Sequence, residues 1–151
     1  MTVQTSTGII YSVVQDSPAT FDAAGYEALT YVEVGEVTDL PEYGPNTEVV
    51  THQPLKTGIT EKYSGFTDNG SLAVGLGQDA NDAGQAILRD SQDLSNKGSQ
   101  YSFKTVFPDG TVDYYSGGVF SFTTNPGAAN SIVASTAQIE INSAIVRVLP
   151  S

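Results

Sequence analysis

The chain reads as a mainly β protein in which one α-helix packs on strands. Three observations predict this class. Runs of β-branched and aromatic residues, set off by Gly, Pro, Asn and Asp, fill nearly the whole length. One stretch only, inside LAVGLGQDANDAGQAILRDSQDLSNKGSQYSFKTVFPDG, joins helical periodicity to start and stop signals. A length of 151 residues makes one domain, residues 1–151, and buries roughly 70% of its unfolded surface, enough for one core without staples.

Residues 7–14 (TGIIYSVV) form the first predicted strand, broken by Asp16, Ser17 and Pro18. Residues 21–29 have the length of two helical turns, weakened by Gly25. Residues 29–37 (LTYVEVGEV) form a strand with apolar groups on both faces. Residues 39–70 differ in kind: Pro41, Gly44, Pro45, Pro54, Gly58, Gly65 and Gly70 punctuate two short β-like pieces, 48–52 and 58–63. A loop that long inside a compact domain needs a task, so it is expected to fold as an extended hairpin and to be ordered by a partner.

Residues 71–76 lead as a strand into the helix. There Ala80, Ala83, Ile87 and Leu94 recur at spacings of three, four and seven, predicting the buried face. Asp79 is the expected cap, Asp82 complements the positive helix end, and Lys97-Gly98 marks the stop. Residues 100–107 alternate cleanly. Pro108-Asp109-Gly110 then returns residues 111–116 antiparallel, Gly117-Gly118 bends the chain, and residues 119–124 continue as strand. After Asn125-Pro126-Gly127, residues 132–149 hold one or two strands with Ala137, Ile139, Ile141 and Ile145 inward.

Seventeen Asp and Glu against six Lys and Arg give a formal charge of -11, too few cations for a phosphate-binding stripe, so specific DNA binding is not expected. The absence of Cys removes thiol catalysis and Cys-based zinc sites. The N-terminal residues lack the basic and apolar regions of a secretory signal, and no run reaches the roughly 18 apolar residues of a membrane span, so the chain reads as soluble, with no membrane partner.

No motif commits to chemistry. Gly75-Leu-Gly77-Gln-Asp-Ala80 matches G-x-G-x-x-A between strand and helix, yet the chain supplies none of the further strand-helix-strand units that a dinucleotide fold requires. Asp79, Asn81, Gly84 and Asp90 fall at calcium-loop spacings, but Ala83 occupies a ligand position and the helix begins inside the loop. His52 is the sole histidine, and chance alone would pair carboxylates among 17 acids. No enzyme activity, metal or cofactor is expected.

The order of elements, in contrast, resembles the tail tube (major tail) proteins of long-tailed bacteriophages. The signals are TYVEVGEVTDLP at residues 30–41, the long loop, DAGQAILRDSQDLSNKG at 82–98, YSFKTVFPDG at 101–110 and GGVFSFTTNPG at 117–127. The resemblance implies a two-sheet β-sandwich or partial barrel flanked by a helix. It also implies hexameric rings that stack into a tube in the virion, assembled in the host cytoplasm and delivering DNA to the host, with tape-measure, terminator and baseplate or tip proteins as further partners. The alternatives are a single-ring tail-terminator or head-tail connector protein, or a carbohydrate-binding β-sandwich. In the tube reading, Pro41, Glu42, Tyr43, Thr51, His52, Gln53, Pro54 and Lys56 reach a neighbouring subunit, and Arg89 and Asp93 contact one from the helix. Glu33, Asp113 and Glu140 line an acidic lumen that repels DNA phosphates.

Overall fold

The computed structural model describes residues 3–150. Ten strands and two helices follow in the order β1 Ile10–Val14, α1 Ala23–Glu27, β2 Val32–Val34, β3 Val37–Asp39, β4 Asn46–His52, β5 Glu61–Asp68, β6 Ser71–Gly77, α2 Ala83–Asp90, a 3-10 turn Leu94–Asn96, β7 Tyr101–Val106, β8 Val112–Asn125, β9 Ala134–Ile141 and β10 Val146–Val148. Mainly β with a flanking helix is therefore the observed class. The two β-like pieces of the long loop pair with each other as a hairpin arm, β4 against β5.

The remaining eight strands form one sheet, ordered β2-β1-β7-β8-β9-β6-β3, with β10 paired to the start of β8. Sandwich-like packing arises because the 14-residue β8 belongs to two leaves. Its first half pairs with β7 and β10, while its second half, from Gly117 on, pairs with β9. The turn over is made at Gly117, where a Cβ would meet the Glu140 backbone, and by a bulge between Val119 and Ser121 that leaves Phe120 as the extra residue. Tyr11, Val13, Phe103 and Tyr115 of the first leaf then face Leu72, Val74, Leu76 and Ile139 of the second in one core.

The sheet does not close into a barrel. Its two edges are β2 and β3, which are consecutive in the chain. The predicted strand over residues 29–37 is split there by a turn at Gly35-Glu36, where Glu36 has φ 60°. Helix α2 fastens this seam. Its cap is Asp82, not Asp79: one carboxylate oxygen accepts from Gln85 N–H (2.9 Å) and from Gly35 N–H (3.0 Å). Gln85, fully buried, donates through Nε2 to the carbonyls of Gly35 (2.8 Å) and Gly77 (2.9 Å) and accepts from Asp79 N–H (2.9 Å).

That geometry corrects the predicted helix. It ends at Asp90, not at residue 98, and its buried residues are Gly84, Gln85 and Leu88, whereas Ala83 is exposed, Ile87 half-buried and Leu94 exposed. Apolar periodicity misplaced the face because the helix packs through a glycine and a glutamine. Gly84 lies so close to β2 that a Cβ would come within 2.6 Å of Val34 Cα. The stop signal belongs to the 3-10 turn: Gly98 has φ 85°. Helix α1 covers the outer side of the first leaf through Tyr26, which stacks on Tyr114 (5.5 Å between centroids) and bonds Ser116 Oγ (3.1 Å).

Candidate assembly interface

The β4–β5 arm stands away from the core. All seven residues of β4 are exposed, and within β5 only Gly65 is partly covered. Val49, Val50, Tyr63 and Phe66 thereby present apolar surface, and Leu55 and Ile59 do so at the tip. A lone two-stranded hairpin is marginal in water and carries open hydrogen-bonding edges on both sides, so apolar groups along it mark a surface meant to be covered.

The arm's root is rigid, in contrast. Tyr43 Oη donates to Asp113 Oδ2 (2.6 Å), and Arg147 grips the same carboxylate through Nε (2.8 Å) and Nη2 (3.0 Å). The Tyr43 ring packs on Tyr115, whose hydroxyl bonds Tyr11 Oη at 2.7 Å. Burial pushes the Tyr11, Tyr115 and Tyr43 phenols well above the ordinary tyrosine range, and the Asp113 carboxylate adds to the shift of Tyr43. A phenol whose folded pKa is raised contributes stability that is whole below its unfolded value near 10 and is lost as pH rises beyond it. The urea midpoint is therefore expected to hold up to about pH 10 and then to fall steeply. A midpoint unchanged to pH 11.5 would contradict the buried tyrosine network.

The predicted contact residues fall into separate groups. Thr51, His52, Gln53, Pro54 and Lys56 cluster at the outer end of the arm, whereas Pro41, Glu42 and Tyr43 lie at its base, with Tyr43 facing the core. Arg89 is half-buried in the last turn of α2. Asp93 caps the 3-10 turn by accepting from Ser95 N–H and Oγ (both 3.0 Å), which holds its carboxyl below the usual range.

The three predicted lumen acids do not share a face. Asp113 is a correction: it is 0% exposed and neutralised by Arg147, so it cannot line a channel, because a strand alternating toward the core carried it inward. Glu33 is exposed on β2 beside Ser12, on the outer side of the first leaf. Glu140 lies on the outer side of the second leaf, held by Gln138 Nε2 (2.8 Å). That side is smooth, with rows Ser71–Glu140–Gly118, Ala73–Gln138–Ser121 and Gly75–Thr136–Thr123 across β6, β9 and β8. Lys104 sits over the Tyr31 ring at 5.8 Å.

One feature had no clear signal in the sequence. A cavity of about 280 Å³ opens between the end of α2 and the bend of β8, with Leu94 and Phe120 exposed at its rim and Tyr101 in its wall. The Gly117-Gly118 bend foretold the irregularity, but not that the bulge would turn Phe120 outward. Among the described residues no group of three or more His, Asp or Glu gathers as metal ligands would. Gly75 and Gly77 lie in β6, where the Gly77 carbonyl accepts from Gln85 Nε2.

These surfaces define a β-sheet domain with an uncovered arm, a smooth outer leaf and a helix-sealed seam. No protein-family model matches the sequence, and no curated protein matches it. Solved structures do match in fold. A chain in the 6-fold symmetrised baseplate of the anti-feeding prophage superposes with TM-score 0.71 at 9% identity, covering 99% of this chain and 97% of its own. A chain in the sheath/tube terminator of an extracellular contractile injection system (PVC) gives 0.68 at 11%, covering 98% of each. A chain in the C6 tail of an empty GTA particle gives 0.67 at 14%, covering 99% of this chain and all of its own. The fold is thus that of subunits found in phage-like tail assemblies.

Proposed function

We propose that this chain is a structural subunit of a phage-like tail, without enzymatic activity, that joins copies of itself into a ring. The observation that carries the reading is the β4–β5 arm, exposed along both strands and apolar on its surface, on a body whose fold matches tail-assembly chains over nearly its full length. Of the two ring readings, a terminal ring such as a tail terminator has the better support, since two of the three structures described above are a baseplate and a sheath/tube terminator. The repeating hexameric tube that conducts DNA draws its support from the GTA tail, refined with helical C6 symmetry. Location in the tail particle and contact with other tail proteins follow from either.

Electron microscopy of the purified protein tests the proposal. Single rings that do not stack are expected for a terminal subunit, and stacked tubes would favour the repeating one. A strict monomer at every concentration and salt would overturn both, and glycan binding by that monomer would favour a carbohydrate-binding sandwich. With a charge of -11 on every copy, like-charge repulsion opposes association. Raising NaCl from 50 to 500 mM shortens the screening range from about 14 to about 4 Å, so sedimentation should show a larger assembled fraction at the higher salt. Assembly that weakens steadily with salt would contradict this.

A further inference from the structure

We propose that Asn69-Gly70, the two-residue link from the arm back to the body, is a self-modifying site: the asparagine amide is lost through a backbone succinimide, leaving aspartate and isoaspartate. The reaction needs no second copy and stands apart from the ring reading.

The chemistry needs a side-chain amide, the nitrogen of the next residue, and little that holds either in place. Asn69 is the only asparagine in the chain followed by glycine, so no Cβ shields the attacking nitrogen. The pair joins β5 to β6, which belong to different sheets, and lies in neither strand. Gly70 has φ 97°, and its N–H donates to Asp68 Oδ1 (2.9 Å), so the proton that must leave already points at a carboxylate. None of the hydrogen bonds among the described residues uses the Asn69 side-chain amide. A recess lined by Glu42, Tyr43, Gly44, Asp68 and Gly70 opens beside the link and admits water.

Other candidates are fastened. Asn96 Nδ2 donates to the Asp90 carbonyl (2.8 Å), and Asn125 precedes a proline, which has no N–H to lose. In the Asp109-Gly110 pair, Asp109 Oδ1 accepts from Thr111 N–H (2.9 Å) and Gly110 N–H donates to the Phe107 carbonyl (2.9 Å).

In the first step Gly70 N gives up its proton and bonds to Asn69 Cγ. The Cγ–Nδ2 bond breaks, and the amide nitrogen leaves as ammonia with that proton. Water then opens the five-membered ring. Attack at Cγ yields aspartate on an unchanged backbone, and attack at the main-chain carbonyl carbon yields isoaspartate, whose backbone is longer by one methylene. Nothing is oxidised or reduced: water enters, ammonia leaves, and one negative charge is gained. The Asn69 carbonyl accepts from Gly44 N–H (3.2 Å), and the Gly70 carbonyl accepts from Ile141 N–H (3.1 Å). Isoaspartate therefore lengthens the chain between an arm-side and a body-side bond, turns the acceptor of Gly44 into a free carboxylate, and loosens the root of the arm.

Mass spectrometry of the full chain tests this. Folded samples are held at 37 °C at pH 8.5 and pH 5, beside a urea-unfolded sample at pH 8.5 that gives the unconstrained rate. The expected result is a gain of about 1 Da confined to residue 69 and split into two peptide forms. It should run at least ten-fold faster at pH 8.5 than at pH 5, because the nitrogen must lose its proton, and within about ten-fold of the urea sample. Asn69→Gln, whose ring would have six members, should abolish it. Gly44 N–H should exchange about ten-fold faster in the isoaspartate form than in Asn69→Asp, which carries the same charge on an ordinary backbone. Modification in urea but not in the folded chain, or spread evenly over the other asparagines, overturns the site. Equal Gly44 exchange in the two forms overturns the effect on the arm.

Discussion

Gln85→Leu is expected to lower stability by about 3–4 kcal/mol, with a urea midpoint far below that of the unchanged protein, although leucine is apolar and of similar size. The residue is wholly buried, and its amide bridges three chain segments: the β2–β3 turn through Gly35, the end of β6 through Gly77, and the helix entry through Asp79. Removing it leaves two carbonyls and one N–H unpaired at the seam, at about 1–3 kcal/mol for each group that water cannot reach. Water at the half-buried ends of these groups reduces the total, hence the lower figure. Gln85→Glu provides the control. It retains an acceptor for Asp79 N–H but points a carboxylate at two carbonyl oxygens, so it should be at least as damaging as leucine. If both variants unfold at the wild-type urea concentration, the helix is not what fastens the two sheet edges.

This dependence on a glutamine explains where sequence reading succeeded and where it did not. The strands were legible because alternation and turn chemistry are local: the Pro108-Asp109-Gly110 turn, the β7–β8 hairpin and the inward Ala137, Ile139 and Ile141 all stand where the pattern puts them. The arm was legible as an anomaly, since Pro and Gly density over residues 39–70 has no use in a simple connection. The helix face was not, because it packs through Gly84 and Gln85, and close backbone approach and polar bridging leave no apolar period. Nor was the fate of Asp113. An acid on a strand looks solvent-facing until the partner that neutralises it is known, and Arg147 is 34 residues away. The candidate interface shares this limit: Leu94 looked like a core residue from its spacing alone, yet it is 85% exposed.

Arg147→Met should be the second severe change, and it separates two ways of losing an ion pair. Asp113 is completely buried, while Arg147 is 59% exposed, so the arginine works as a lid whose guanidinium meets the carboxylate with two bonds and leaves the rest in water. Without it the carboxylate keeps one donor, Tyr43 Oη, in a place from which water is excluded. Removing one partner of a buried pair costs about 3–5 kcal/mol, and access of solvent to the arginine side puts the expected loss near the lower end. Adding Asp113→Asn to Arg147→Met abolishes the stranded charge and keeps an acceptor for Tyr43, so the double variant should recover at least half of that loss. A double-mutant cycle on urea midpoints measures the recovery. Recovery would mean that the damage lay in the unpaired charge and that the arm root tolerates a neutral bond. A double variant as unstable as Arg147→Met alone would mean that Arg147 acts through packing of β10 on β8, and the Tyr43 anchor of the arm would then have to be sought in the ring contact with Tyr115.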